Sequence, residues 1–149
     1  MTEYRLTLRV YYEDTDAGGI LYHARYLAFA ERARTEALRE AGAPHSELVA
    51  GHGLFFVVRR AEMDYLRPVR LDEEVVVATG PWAAGAASVE VRQQFEVAGR
   101  PVAALLVKLA CVRQADGRPA RIPDRWRQAL GGGLALCGSP ALCDGTKGS

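Results

Sequence analysis

The chain has 149 residues, of which 49% are hydrophobic and 25% charged, a balance that predicts one folded globular domain. Its 19 basic and 18 acidic residues include no basic run of the kind that nucleic-acid binding requires. The N-terminus lacks the apolar core of a signal peptide, and no stretch has membrane-spanning length, so we expect a cytoplasmic protein. The three cysteines, Cys111, Cys137 and Cys143, have no CxxC spacing, which argues against a disulfide framework or a zinc site.

The first half of the chain predicts one strand followed by one long helix. Apolar residues occupy the even positions from Tyr4 to Tyr12, as in a half-buried strand. The acidic, glycine-rich loop EDTDAGG follows, and from about residue 21 to 41 apolar residues recur at steps of three and four. The inner stripe of this amphipathic helix is mostly alanine, which lets another layer of the protein approach it closely. Gly42 and Pro44 end the helix, and residues 45–53 are expected to be a polar connection.

The second half predicts an antiparallel sheet. Strand-like segments occur in the order LFFVVRRAEMDYL, EEVVVATG, ASVEVRQQFEVAG and PVAALLVKLACV, and the last is apolar enough for a central strand. A short helix is predicted for residues 124–130, after Pro123. Residues 131–149 are rich in glycine and predict a flexible tail, so that residues 1–130 form an α+β domain with a sheet curled about one helix.

Reactive groups are concentrated between the first strand and the helix, at Glu13, Asp14, Asp16 and His23. A helix start directs N–H groups outward that can polarise a carbonyl, which a nearby carboxylate can attack directly or through water. From the residues alone, a helix cap is the commoner role for either aspartate, and a lone histidine is more often structural. A calcium loop is excluded because Gly18 and Arg25 occupy positions that need ligands, and no zinc or GxSxG motif is present, so no metal is predicted.

The segment RVYYEDTDAGGILYHARYLAFAERARTEALREAG resembles the signature of the 4-hydroxybenzoyl-CoA thioesterase-like hot-dog proteins. Within that family it is most similar to the bacterial acyl-CoA thioesterases encoded beside the Tol-Pal cell-envelope system. The stretches FFVVRRAEMDYLRPVRLDE and VKLACV extend the similarity over about residues 4 to 125. The family's hot-dog fold, a long central helix wrapped by a curved antiparallel sheet of five or six strands, agrees with the pattern of elements.

The resemblance implies hydrolysis of acyl-CoA thioesters to free acid and coenzyme A, with neither cofactor nor metal. Asp16 matches the family's catalytic aspartate, and would act as nucleophile or as general base for water, a choice that the sequence leaves open. His23 matches a histidine implicated near the site, where its backbone N–H would polarise the thioester carbonyl. Gly18, Gly19 and Tyr22 are the further candidates for contact with the substrate.

Arg59 and Arg60, together with Lys108, are candidates for binding the phosphates of coenzyme A, with solvated surface charges as the alternative. The resemblance also implies a homodimer or a dimer of dimers, with sites at the subunit interface and a thioester substrate carried by coenzyme A or by acyl carrier protein.

Two alternative functions stay open. One is an acyl-CoA hydratase or dehydratase of the same fold, and the other is a noncatalytic protein that binds acyl-CoA or a protein partner. The hydratase-like signature places its histidine closer to the aspartate, with Asn-Pro between them, whereas AGGILY separates Asp16 from His23. This spacing favours hydrolysis.

Overall fold

The fold is a single antiparallel sheet packed on one long helix, in a computed structural model that describes residues 3–131. The elements are β1 (Tyr4–Arg9), α1 (Arg25–Glu40), α2 (His45–His52), β2 (Leu54–Tyr65), β3 (Glu74–Ala84), β4 (Ser88–Val97), β5 (Arg100–Arg113) and α3 (Asp124–Ala129), with a 3-10 turn at Tyr12–Asp14. The five strands lie in the order β1-β3-β4-β5-β2, and every neighbouring pair is antiparallel. The predicted α+β hot-dog fold is confirmed, with five strands. The predicted tail lies, from residue 132 onward, outside the described residues.

The alanine stripe of α1 sets how closely the helix approaches the sheet. Ala30, Ala33 and Ala37 are all completely buried. Ala30 and Ala33 belong to the same apolar cluster as Val77 of β3 and Val91 of β4. Since an alanine side chain is a single methyl group, the helix backbone packs close to the strands, as the stripe predicts.

The predicted start of the helix is wrong by four residues. Residues 20 and 21 are held in extended pairings, because Leu21 N–H donates to the Val69 carbonyl at 2.7 Å and Ile20 forms a bridge with Arg70. The helix therefore begins at Arg25. As a consequence Tyr22, which the periodicity placed on the buried stripe, is 44% exposed.

Two further elements depart from the predictions. The polar connection expected at residues 45–53 contains helix α2, which follows the extended Pro44 and ends at Gly53 in the left-handed conformation, φ 63°. Strand β3 does not end near residue 80 but continues to Ala84, because Trp82 to Ala84 resume pairing with β4 after an irregularity that follows Thr79. Neither helix α2 nor the last four residues of β3 have an apolar periodicity in the sequence that would predict them.

A buried amide connects the helix to the sheet. Gln93 of β4 is 2% exposed, between apolar residues that point to the same face. Its Nε2 donates to the Ala30 carbonyl at 3.0 Å and to Thr79 Oγ1 at 2.9 Å, while its Oε1 accepts from Arg34 Nη1 at 3.0 Å. One side chain of β4 thus hydrogen-bonds with polar groups of both α1 and β3.

Replacing this amide is expected to destabilise the fold. Gln93→Met keeps the length of the side chain but leaves the buried Arg34 and Thr79 without their partner, so the free energy of unfolding should fall by about 2 kcal/mol. Urea denaturation measures the change. Gln94→Met, at the exposed neighbouring position, is the matched control and should unfold like wild type. Equal losses in the two variants would show that the network contributes nothing.

Candidate active site

The loop between β1 and α1 is fastened by the carboxylate of Asp14, which is only 3% exposed. Its Oδ2 accepts from the Tyr11 N–H at 2.8 Å, and its Oδ1 accepts from Arg25 Nε and Nη2 at 3.0 and 2.7 Å. Its backbone carbonyl accepts from the Tyr22 N–H at 2.9 Å. Asp14 therefore joins the loop to the first residue of α1. It is not a cap of that helix, whose N-cap residue is Ala24.

The carboxylate of Asp16, two residues later, is exposed and lies inside a tight turn. Its Oδ1 accepts from the Gly18 N–H at 2.8 Å and, at 3.4 Å, from that of Ile20. Its backbone N–H donates to the Ile20 carbonyl at 2.9 Å. Within residues 3–131 no group donates to Oδ2. Asp16 is thus oriented through one oxygen, while the other is available for chemistry.

The two glycines of the loop have different roles. Gly19 has φ +78°, a left-handed conformation that favours glycine, and its N–H donates to the Asp16 carbonyl at 3.0 Å. Gly18 has an ordinary conformation, but a Cβ placed on it would lie 3.4 Å from Asp16 Oδ1. Gly19 is therefore favoured by the turn, whereas a Cβ at position 18 would make only an ordinary van der Waals contact with the carboxylate.

Asp16 and His23 line one open cleft of about 400 Å³, together with Tyr26 and Tyr65. The Tyr65 hydroxyl donates to the His23 carbonyl at 2.9 Å, and the Tyr26 and Tyr65 rings meet edge to face at 5.1 Å. Burial raises the pKa of Tyr26 above its ordinary value, with a smaller contribution from Tyr65, so the Tyr26 phenol is neutral at pH 7. The two residues predicted to be catalytic thus share a cleft with tyrosine walls.

Unoccupied backbone donors stand at the start of α1. The N–H groups of His23 and Ala24 donate to no acceptor in the part of the chain that the structure describes. The His23 carbonyl and the Ala24 N–H belong to the same peptide group, so the Tyr65 hydroxyl that holds the carbonyl also orients this N–H. Helix dipole and oriented N–H groups together favour negative charge at this position.

Comparison with known proteins identifies the family. Residues 10–130 match the thioesterase-like superfamily. The chain belongs to this superfamily. A relative from Haemophilus influenzae named acyl-CoA thioesterase YbgC is 38% identical over 123 residues, which cover 83% of this chain and 90% of the relative. A 1,4-dihydroxy-2-naphthoyl-CoA hydrolase from a Synechococcus species is 31% identical over 123 residues, 78% of this chain and 94% of the relative.

A solved structure supports the same family. The crystal structure of a probable thioesterase from Bartonella henselae is 33% identical and superposes with a TM-score of 0.77, covering 82% of this chain and 100% of the other. Together these likenesses confirm the recognition made from the sequence, that of a hot-dog acyl-CoA thioesterase, and with it the prediction that the chain is an enzyme of this class.

The remaining predicted site residues of this thioesterase-superfamily chain lie outside the cleft lining. Tyr22 packs on the His23 ring, with ring centres 4.5 Å apart. Arg59 is exposed on β2 at a shift in strand register, and Arg60 beside it pairs with Glu62 at 2.7 Å. Lys108 pairs with Glu90 at 3.3 Å. A role for the two arginines in binding coenzyme A stays a prediction.

Some residues of the site of this superfamily member had no functional signal in the sequence. In the sequence Tyr65 belongs only to the strand-like segment LFFVVRRAEMDYL, and its contact with His23 spans 42 residues. Arg25 has a role in the sequence argument only because it occupies a position where a calcium loop needs a ligand, although in the structure it pairs with Asp14.

Two kinds of feature are not found among residues 3–131. None of the helices in this range has both the length and the apolar character needed to span a membrane, and no group of three or more His, Cys, Asp or Glu side chains is placed to hold a metal ion.

Proposed function

We propose that the chain hydrolyses acyl-CoA thioesters to free acid and coenzyme A in the cleft shared by Asp16 and His23. The observation that carries the proposal is a carboxylate with one available oxygen in the same cleft as a helix start, where the His23 and Ala24 N–H groups donate to no acceptor among residues 3–131. Sulfur donates electron density weakly to a carbonyl, so a thioester is already activated toward attack. One carboxylate and one or two N–H donors are sufficient equipment for its hydrolysis.

The proposed mechanism uses the helix start to stabilise charge. The N–H groups of His23 and Ala24 bind the thioester oxygen as it becomes an oxyanion. In one route Asp16 Oδ2 attacks the carbonyl carbon, the C–S bond breaks, the thiolate leaves and takes a proton from solvent, and water then cleaves the mixed anhydride. In the other route Asp16 accepts a proton from a water that attacks the carbonyl carbon, and the resulting tetrahedral intermediate collapses with cleavage of the C–S bond and release of the thiolate, which takes up a proton.

After a single turnover in ¹⁸O-labelled water, label in the Asp16 carboxylate would establish the first route, with water attacking the Asp16 carbon of the anhydride. Attack of water on the acyl carbon of the anhydride, like the second route, places the label in the released acid.

Thiol release from a panel of thioesters tests the proposed function. The panel contains short-, medium- and long-chain acyl-CoAs, benzoyl-type CoAs and the same acyl groups on acyl carrier protein. We expect turnover of at least one member. Hydration of an enoyl-CoA without thiol release would instead support the hydratase alternative, and tight binding of acyl-CoA without any turnover would support the noncatalytic one. The panel also identifies the acyl group, which the geometry does not specify.

The proposed assembly is a homodimer, or a dimer of dimers, in which β2 edges meet. Strand β2 is 12 residues long and lies at one edge of the sheet, where only β5 pairs with it among the described strands. Beside this edge, α1 and β2 flank a mostly apolar groove that includes the exposed Leu27 and Val58. Pairing of two such edges would satisfy the free backbone groups and cover the groove. Sedimentation velocity measures the oligomeric state, and Val58→Lys should shift the protein toward monomer.

We propose the cytoplasm as the location of the protein.

Tyr65→Phe is expected to lower kcat about tenfold without loss of fold. The substitution keeps the ring but removes the hydroxyl that holds the His23 carbonyl, so the Ala24 N–H is less well oriented toward the oxyanion. Steady-state thiol release measures the effect. Tyr12→Phe removes a hydroxyl from a ring that is 84% exposed and should match wild type. A kcat for Tyr65→Phe equal to that of Tyr12→Phe would contradict the role of this hydrogen bond.

A further inference from the structure

The side chain of Tyr26 forms part of the cleft that Asp16 lines. Tyr26 is the second residue of α1, and helical side chains lean toward the N-terminus of their helix, so this side chain leans toward the helix start at His23. The ring is held on two sides, because it meets the Tyr65 ring edge to face at 5.1 Å and the Phe95 ring at 5.4 Å. Packing of the rings therefore fixes where the Tyr26 hydroxyl lies.

The Tyr26 hydroxyl is a hydrogen-bond donor that the described chain leaves free. Tyr26 is only 3% exposed, and its hydroxyl has no hydrogen-bond partner among residues 3–131. In this range the side-chain polar atoms that are fully enclosed and without a partner are the indole nitrogens of Trp82 and Trp126. Since the Tyr26 oxygen is not one of them, the little surface that Tyr26 keeps includes its hydroxyl, which opens into the cleft. Burial raises the pKa of Tyr26, so the hydroxyl carries its proton at pH 7.

The carbonyl oxygen of a thioester is the acceptor that suits this donor. When the carbonyl carbon is placed for attack by Asp16 or by its water, the other heteroatom bonded to that carbon is sulfur, which accepts hydrogen bonds weakly. The oxygen gains negative charge as the attack proceeds, and a hydrogen bond to it becomes stronger. The Tyr26 hydroxyl thus matches the same substrate atom as the N–H groups of His23 and Ala24.

We propose that the Tyr26 hydroxyl is a further catalytic group of this cleft, which donates a hydrogen bond to the thioester oxygen as that oxygen becomes an oxyanion. The inference rests on the proposed function and deepens it, because it adds a side-chain donor to the backbone donors of the helix start. An oxyanion has enough lone pairs to accept from all of these donors. The bonds that form and break are unchanged, since the hydroxyl stabilises charge and adds no covalent step.

Tyr26→Phe removes the hydroxyl and keeps the ring. We expect kcat for thioester hydrolysis to fall about 10²-fold, as for the loss of one donor from an oxyanion hole, while KM changes little. Tyr4→Phe is the matched control, because the Tyr4 hydroxyl also has no hydrogen-bond partner among residues 3–131 but lies on β1, outside the cleft lining. This control should retain the wild-type kcat. Equal kcat values for the two variants would overturn the proposal.

Urea denaturation separates the catalytic role of Tyr26 from a structural one. A hydroxyl that has no partner in the protein contributes little to the folded state, so Tyr26→Phe should unfold like wild type. A larger loss of unfolding free energy in Tyr26→Phe than in Tyr4→Phe would contradict the proposal, because the hydroxyl would then act within the fold. A Tyr26→Phe variant that does not fold is the same negative result.

Two unreactive acyl-CoA analogues identify the atom that the hydroxyl contacts. In the ketone analogue a methylene group replaces the sulfur, so the carbonyl oxygen is kept, whereas in the thioether analogue a methylene group replaces the carbonyl. Calorimetry should show that Tyr26→Phe binds the ketone about fivefold more weakly than wild type does, and the thioether equally well. Equal weakening of both analogues, or of neither, would overturn the assignment.

The analogue experiment needs no turnover, so failures of the two proposals are distinguishable. If the thioester panel gives no thiol release while Tyr26→Phe still weakens the ketone alone, the proposed hydrolysis fails and the contact with the carbonyl oxygen stands. If thiol is released and Tyr26→Phe turns over as fast as Tyr4→Phe, the proposed hydrolysis stands and the catalytic role of Tyr26 is refuted.

Discussion

Asp16→Asn is expected to hydrolyse acyl-CoA thioesters roughly 10²- to 10⁴-fold more slowly than wild type, with little change in stability. The amide oxygen of asparagine still accepts from the Gly18 N–H, which in wild type donates to Asp16 Oδ1 at 2.8 Å, so the turn is kept. The amide nitrogen replaces the available carboxylate oxygen, so that neither attack on the carbonyl nor proton abstraction from water remains. Thiol release measures kcat, and urea denaturation verifies the fold.

The matched control for Asp16→Asn is Glu13→Gln, which neutralises an exposed carboxylate in the same loop without touching the cleft lining. It should retain wild-type kcat. Activity of Asp16→Asn within a few-fold of this control would contradict a catalytic role for Asp16 and leave the residue as a loop-forming group only.

Asp14→Asn, unlike Asp16→Asn, is expected to cause a large loss of stability. The buried carboxylate receives two hydrogen bonds from Arg25 and one from the Tyr11 N–H. The amide cannot accept on both sides, so a cation is left beside a buried site without its counter-charge. Because Arg25 is 33% exposed, the unfolding free energy should fall by about 2 to 3 kcal/mol, which is no more than the smallest losses that follow when one partner of a buried ion pair is removed. Urea denaturation measures it, and kcat should fall because the loop that carries Asp16 loosens.

Glu74→Gln is a suitable comparison for Asp14→Asn. It removes the carboxylate of an ion pair with Arg9 whose side chains are 48% and 58% exposed, and such pairs contribute less than about 1 kcal/mol. A double-mutant cycle of Asp14→Asn with Arg25→Gln isolates the coupling between the two groups. If Asp14→Asn unfolds like Glu74→Gln, the buried pair does not stabilise the loop.

Periodicity was sufficient for most of the fold, because β1, β4 and the long helix each direct one face toward the core, and β5 is apolar enough to be recognised as a central strand. The alanine stripe correctly predicted the close approach of helix and sheet. The errors occurred where distant residues decide the local structure. Leu21 lies within the helical periodicity of the sequence, but its N–H donates to the carbonyl of Val69, 48 residues away. This pairing keeps residue 21 extended, so the helix begins only at Arg25. Likewise Gln93 interrupts an apolar face because its partners are on α1 and β3.

The candidate site was less accessible to sequence reasoning. The acidic, glycine-rich loop EDTDAGG indicated the segment that contains the candidate site. Asp14 and Asp16 are equivalent in residue type and lie in the same loop, so their roles cannot be distinguished until their hydrogen-bond partners are known. The structure distinguishes them, because Arg25 and Tyr11 occupy both oxygens of Asp14, whereas one oxygen of Asp16 has no partner in the described chain. Preference for Asp16 in the sequence came from the family resemblance. Tyr65 could not be found, since its position depends on where β2 ends.

The alanine stripe of α1 also constrains how this chain can diversify. Ala30, Ala33 and Ala37 have no exposed surface, so even one added methylene group there would push the helix off the sheet. New acyl preferences are therefore more easily acquired at the ends of the helix and along the exposed strand edge, where side chains can change in size without moving the backbone. Directed evolution toward other thioesters should accumulate its substitutions at those margins and leave the three alanines untouched.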